Sequence, residues 1–260
     1  MTALIFFITF LACTAGKICG MGGGVIIKPL MEAISGYSSG TINILSGFAV
    51  IGMSGWSIGK VWIRGESVLK LSTTFPLAAG ACIGGIIGRQ AFSVVRLAFD
   101  SEEFAGILQA LLLLAATFLT LLYILNKEKI ISMRIEKKAA CVVIGLFLGM
   151  LGTFLGIGGG PFNMAVLFFF FSMSAKTAAQ NSLFIILLSQ TAGLLTSVDS
   201  IINMKASFIV VAGMILSGII GSEVGGKINV RLSNRHVEHL LNAAMIFVML
   251  LCIYNVISGL

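Results

Sequence analysis

The sequence predicts an all-α polytopic membrane protein made of two inverted repeats, each a glycine-broken helical hairpin followed by three transmembrane helices. Three observations carry this. Of 260 residues, 58% are hydrophobic and only 10% charged, and the mean hydropathy is +1.06, so apolar stretches of membrane-spanning length recur from end to end. The triplet Gly22-Gly23-Gly24 in GMGGGVIIKPL returns as Gly158-Gly159-Gly160 in GIGGGPFNMAV. A second pair, AGACIGGIIGRQ at 79–90 and AGMILSGIIGSE at 212–223, follows in the same order at a similar offset, which marks a duplication.

The apolar segments run approximately 2–19, 25–35, 40–59, 70–95, 104–126, 138–156, 161–173, 178–198, 206–228 and 236–258. The first lacks the basic start of a cleaved signal peptide and runs straight into a glycine break, so it reads as mature structure. Segments 25–35 and 161–173 are too short to span. At 1.5 Å per residue each covers roughly half of a ~30 Å hydrocarbon core, as a half-helix behind its glycine break would. The expected division is repeat 1 over 1–126, a basic linker over 127–138 and repeat 2 over 139–260.

Loop charges decide the sense of the repeats, because Lys and Arg favour the cytoplasmic side. If each glycine-broken region crosses once, the bases divide nine against seven, with Lys17 in the membrane. If each is a hairpin returning to its own side, twelve bases share one side. They are Lys60, Arg64, Lys70, the five linker bases, Lys176, Lys227, Arg231 and Arg235. Arg89, Arg96 and Lys205 remain opposite, with the acids Asp100, Glu102, Glu103 and Asp199, while Lys17 and Lys28 belong to the hairpin itself. The second division predicts inverted repeats, both termini outside and the linker in the cytoplasm. The net charge of +7 thus reflects topology, not nucleic-acid binding.

Opposed hairpins bring their glycine tips together near the midplane, where irregular backbone survives only inside protein or along a cavity. The half-helices begin there, and a helix N-terminus with its unpaired amides suits an anion. Pro161 fits the first position of the second half-helix. Lys28 lies one turn into the first, and it either helps hold an anion, snorkels to an interface or pairs with Glu32 four residues on. Lys17 carries a weaker claim. The polar motifs SSGTIN at 38–43 and TAAQNS at 177–182 open the next spans. Thr41, Asn43, Gln180, Asn181 and Ser182 either donate to oxyanions or serve as caps and interhelical bonds. Gln190 near the middle of its span and Asn163 beside the second triplet complete the candidates. The expected substrate-binding set is therefore Gly22, Gly23, Gly24, Lys28, Thr41, Asn43, Gly158, Gly159, Gly160, Asn163, Asn181, Ser182 and Gln190.

The glycines at 80, 84 and 88, and at 213, 221 and 225, predict close helix packing. Glu223 and Lys227 predict a local ion pair. The five cysteines, 13, 19, 82, 141 and 252, lie in apolar surroundings without a CxxC pair and read as small buried hydrophobes. His236 and His239 flank Glu238, which is weak evidence for a metal. No HExxH, Walker or nucleophile-elbow motif is present, so neither an enzyme nor a cofactor is expected.

GMGGGVIIKPL, its echo GIGGGP, the TIN and NSL motifs and the paired AG…GIIG segments together resemble the TauE/SafE family of sulfite exporters over essentially the whole chain. The resemblance implies export of small sulfur-containing anions, such as sulfite or organosulfonates, across a bacterial or archaeal plasma membrane. The copies differ: Pro161 directly follows the second triplet, Ala165 stands where the first copy has Pro29, and Thr41 aligns with Asn181. The expected function is a secondary transporter exporting a small anion by alternating access, the alternative being a channel or an uptake carrier for another solute. The expected partners are that anion and the lipid bilayer, with no nucleic acid; self-association into a homo-oligomer is left open.

Overall fold

A computed structural model describes residues 1–65, 69–99, 102–204 and 206–258. Asp100 and Lys205, both used in the loop-charge count, lie outside the described residues. The described chain is helical throughout: α1 (Thr2–Cys19), α2 (Gly24–Ile34), α3 (Ser39–Ile63), α4 (Leu71–Phe99), α5 (Glu102–Asn126), α6 (Lys138–Phe154), α7 (Pro161–Phe171), α8 (Ala175–Leu195), the short α9 (Val198–Ile202), α10 (Phe208–Arg231) and α11 (Asn234–Ser258). Seven of these helices are long and apolar enough to cross a membrane, while α6 and α7 are shorter apolar helices. This is a multi-pass membrane protein.

Small residues set the helix packing. A Cβ on Gly80, Gly84 or Gly88 of α4 would fall 2.0–2.1 Å from the carbonyl oxygens of Val142, Leu146 and Met150 on α6. Only a bare backbone allows that approach. On the other side, Gly213, Gly221 and Gly225 of α10 meet Phe6, the Phe10 carbonyl and the Thr14 carbonyl of α1. Both glycine series therefore do the packing work expected of them.

These contacts also fix helix direction, since numbers rise together along α4 and α6 and along α1 and α10. The same holds for α3 with α10, through Ala49–Gly218 and Met53–Ser222, and for α4 with α8, through Thr74–Asn181 and Arg89–Ser197. Along α3 and α8 the order reverses, Gly47 meeting Leu194 and Gly55 meeting Leu187. Thus α1, α3 and α10 run one way and α6, α8 and α4 the other. Equivalent helices of the two halves are opposed, consistent with inverted repeats. Because α1 and α3 share a sense, α2 must fold back between them, and α7 does the same between α6 and α8.

The segment after α5 is not a bare loop. Residues Lys127–Lys129 form a 3-10 turn, and the amides of Met133 and Ile135 donate to the carbonyls of Phe169 and Phe170 at the end of α7. Lys127 pairs with Glu238 of α11, which places Glu238 in a salt bridge between its two histidine neighbours.

Two sequence expectations need correction. Arg89, counted as a loop base, lies inside α4 and is only 5% exposed. Cys82 is half-buried, because it faces away from the α4–α6 seam made by Gly80 and Gly84, whereas the other four cysteines are buried. Glu223 also takes a partner that spacing alone did not suggest: Lys60 of α3 is its main partner, and Lys227 stands 3.7 Å away.

Candidate functional site

The two glycine breaks begin on the same backbone path and then diverge, Gly23 having φ of −70° where Gly159 has 153°. Gly20 and Gly22 have φ of 71° and 74°, and Gly156 and Gly158 repeat this with 69° and 80°. L side chains rarely adopt that region. Each break then leads into a helix start, Gly24 of α2 and Pro161 of α7, the latter with proline at the first helical position. The amides of Gly24, Val25 and Phe162 donate to no described residue.

The tips meet. A Cβ on Gly24 would lie 2.6 Å from the Ile157 carbonyl oxygen, and one on Gly160 would lie 3.1 Å from Val25. Gly22 faces Val50 and Ile186, and Gly158 and Gly159 face Gln190 and Ile186. Val50 and Ile186 lie near the middles of α3 and α8, so the tips sit at half depth in the bundle. Gly23 packs on Cys13 of α1, turned away from the junction.

Of the predicted side chains, Gln190 and Asn163 lie at the tips. Gln190 is 2% exposed, and no hydrogen bond from a described residue reaches its amide. Asn163 is fully buried, its Nδ2 3.5 Å from Ser182 Oγ and its Oδ1 without a partner. Buried amides are seldom left unpaired, and each such group calls for an explanation. Ser182 joins this group through Asn163.

Lys28 and Asn43 form a separate knot. Lys28, 1% exposed, donates to Asn43 Oδ1 at 2.8 Å and to Gln109 Oε1, and its Nζ lies 3.1 Å from Glu32. Three donors thus meet three acceptors, so Lys28 has no hydrogen left for an anion in this conformation. Gln109 of α5 in turn donates to the Phe154 carbonyl at the end of α6. Asn43 Oδ1 occupies the space that a Cβ on Gly156 would need. The knot therefore ties α2, α3 and α5 to the second hairpin. Gln109 was missed in the sequence, although it is a polar residue inside the apolar run ALLLL and its neighbours.

Thr41 and Asn181 stand away from the tips, at the starts of helices. The Ser38 hydroxyl caps α3 by accepting from the Thr41 amide at 3.4 Å, with Thr41 Oγ1 3.2 Å away. Asn181 Oδ1 accepts from the Lys70 amide at 3.2 Å and from the Thr74 hydroxyl, holding the start of α4. Thr41 lines an outer cavity of about 660 Å³ with Ile44, Arg96 and Asp199. On the opposite face Lys17, Ser57, Lys60, Gln180 and Glu223 line a cavity of about 380 Å³.

Comparison with known proteins agrees with this architecture. The model of the family described as "Sulfite exporter TauE/SafE" matches residues 5–253. The chain is similar to the "Probable membrane transporter protein YunE" of Bacillus subtilis (strain 168), with 24% identity covering 94% of each chain. No solved structure matches it.

Proposed function

Since the chain belongs to the sulfite exporter TauE/SafE family of membrane transporters, we propose that it exports a small anion, sulfite or a related organosulfur anion, by alternating access. One observation supports this above the rest. Two opposed helix starts with free amides meet at half depth, beside the side chains of Gln190 and Asn163. Helix N-termini carry partial positive charge and donors, and glycine allows a ligand to reach them. At the junction the anion would take hydrogen bonds from the amides at the starts of α2 and α7 and from Asn163, Ser182 and Gln190, with Gly22, Gly24, Gly159 and Gly160 letting it approach; Gly23 packs on Cys13 and the Gly158 amide is held by the Gly152 carbonyl. Lys28 and Asn43 would brace the first hairpin, while Thr41, beside the Ser38 cap of α3, and Asn181, which holds the start of α4, would support the helices that frame it.

The proposed setting is the inner membrane of a bacterium or archaeon, with linker 127–138 in the cytoplasm and both termini outside. Repeats 1–126 and 139–260 would rock about the tips, driven by a proton gradient or the membrane potential. Radiolabelled sulfite flux in proteoliposomes tests this. Saturable, uphill flux is expected, with at least a roughly tenfold loss for Gln190→Leu, since the transported anion loses a buried donor. Flux that never saturates would assign a channel, and an unaffected Gln190→Leu would move the site elsewhere.

A further inference from the structure

The offset that aligns Thr41 with Asn181 continues along both helices and brings Ser57 of α3 onto Ser197, just past α8. Each serine hydroxyl accepts a hydrogen bond from a base, Ser57 from Lys17 and Ser197 from Arg89 Nε at 2.9 Å. The bases come from non-equivalent helices, Lys17 from α1 and Arg89 from α4. Their counterparts in the other half are Thr153 and Ser222, which carry no charge. Both bases thus come from the first repeat, Lys17 beside a serine of its own repeat and Arg89 beside a serine of the other.

Depth relates these pairs to the tips. Val50 and Gln190, seven positions before the two serines, both touch the glycine triplets. At 1.5 Å per residue each serine stands about 10 Å from the junction. Because α3 and α8 run oppositely, one pair lies toward the face of linker 127–138 and the other toward the far face.

Arg89 carries the stronger evidence. It is 5% exposed, its Nη1 reaches only the Asn43 carbonyl at 3.5 Å, and its Nη2 has no partner. Among the described residues no carboxylate pairs with it. An uncompensated buried cation is costly and marks function at membrane depth. Its guanidinium fork offers parallel donors that match an oxyanion. Lys17 and Ser57 line the cavity on the linker face, where Glu223 is already held by Lys60.

We propose that Arg89 with Ser197, and Lys17 with Ser57, form two further oxyanion stations on either side of the glycine tips, each passing the anion between the tips and one face. The proposal rests on the anion-transport reading. It is tested by the half-saturation concentration for sulfite measured from each face, in right-side-out and inside-out vesicles. Arg89→Gln should raise it about tenfold from the far face and leave the linker face within about twofold, since a charge-assisted bond is lost on one side only. Lys17→Gln should do the reverse, and Arg89→Lys should recover to within about threefold of wild type. Equal effects on both faces, or none, would overturn the stations and leave Arg89 a packing residue.

If Arg89→Gln yields no folded protein, Ser197→Ala takes its place, with a smaller rise on the far face only. Absence of sulfite flux in the wild type would defeat the transport reading by itself. The stations then depend on the thermal shift that sodium sulfite produces against sodium chloride at equal ionic strength. A wild-type shift that Arg89→Gln removes supports them, and a shift unchanged in the variant or absent in the wild type overturns them.

Discussion

At the residue scale, the buried cations divide into one that is answered inside the protein and one that is not. Lys28 has Glu32, Asn43 and Gln109 around it, whereas Arg89 keeps an unpaired Nη2. Removing one partner of a buried ion pair costs about 3–5 kcal/mol, while removing both is far milder. Glu32→Gln should therefore lower the unfolding midpoint in detergent sharply, and Lys28→Met with Glu32→Gln should recover much of the loss; additive losses would show that the pair is not coupled. The Glu32 partnership was legible in the sequence because four residues on a helix bring side chains together. Gln109 and Arg89 were not, because their roles depend on α5 lying against α3 and on α4 lying against α8, contacts between residues far apart in the chain.

At the element scale, the helix contacts turn on where glycine is obligatory. Gly84 has the Leu146 carbonyl 2.0 Å from a would-be Cβ, and Gly59 has nothing within 4 Å. Gly84→Leu should force α4 off α6 and abolish folded yield by size-exclusion chromatography. Gly59→Ala should gain stability of up to about 1 kcal/mol through helix propensity; a destabilised Gly59→Ala would mean that α3 needs flexibility at that turn. The broken helices were readable because three glycines and a short apolar run have one economical explanation, a half-helix with its start at the break. Their meeting point was not written in either segment. It follows from α3 and α8 packing together and presenting Val50 and Ile186 to Gly22, which no local pattern encodes. Thr41 and Asn181 show the opposite limit: a cap and a ligand donor look alike in sequence, and only the Ser38 hydroxyl and the Lys70 amide distinguish them.

At the scale of the whole molecule, helix direction and loop charge are independent lines that bear on one topology. Opposed senses for α3 and α8 put the ends of α3 and α5 on one face, and with them Lys60, Arg64 and the linker bases. The positive-inside rule supports the proposed placement of that face in the cytoplasm. Lys138 and Lys176, at the starts of α6 and α8, fall on the same face, as does the connection between α10 and α11 with Arg231 and Arg235. The arrangement thus gathers bases from both halves at one surface, whereas a parallel repeat would scatter them. With the native cysteines replaced, Lys129→Cys should react with a membrane-impermeant maleimide in inside-out vesicles and not in intact cells, and Thr2→Cys at the start of α1 should do the reverse. Labelling of both from one side would exclude an α1–α5 half that crosses an odd number of times, and with it the opposed hairpins from which the anion junction is built.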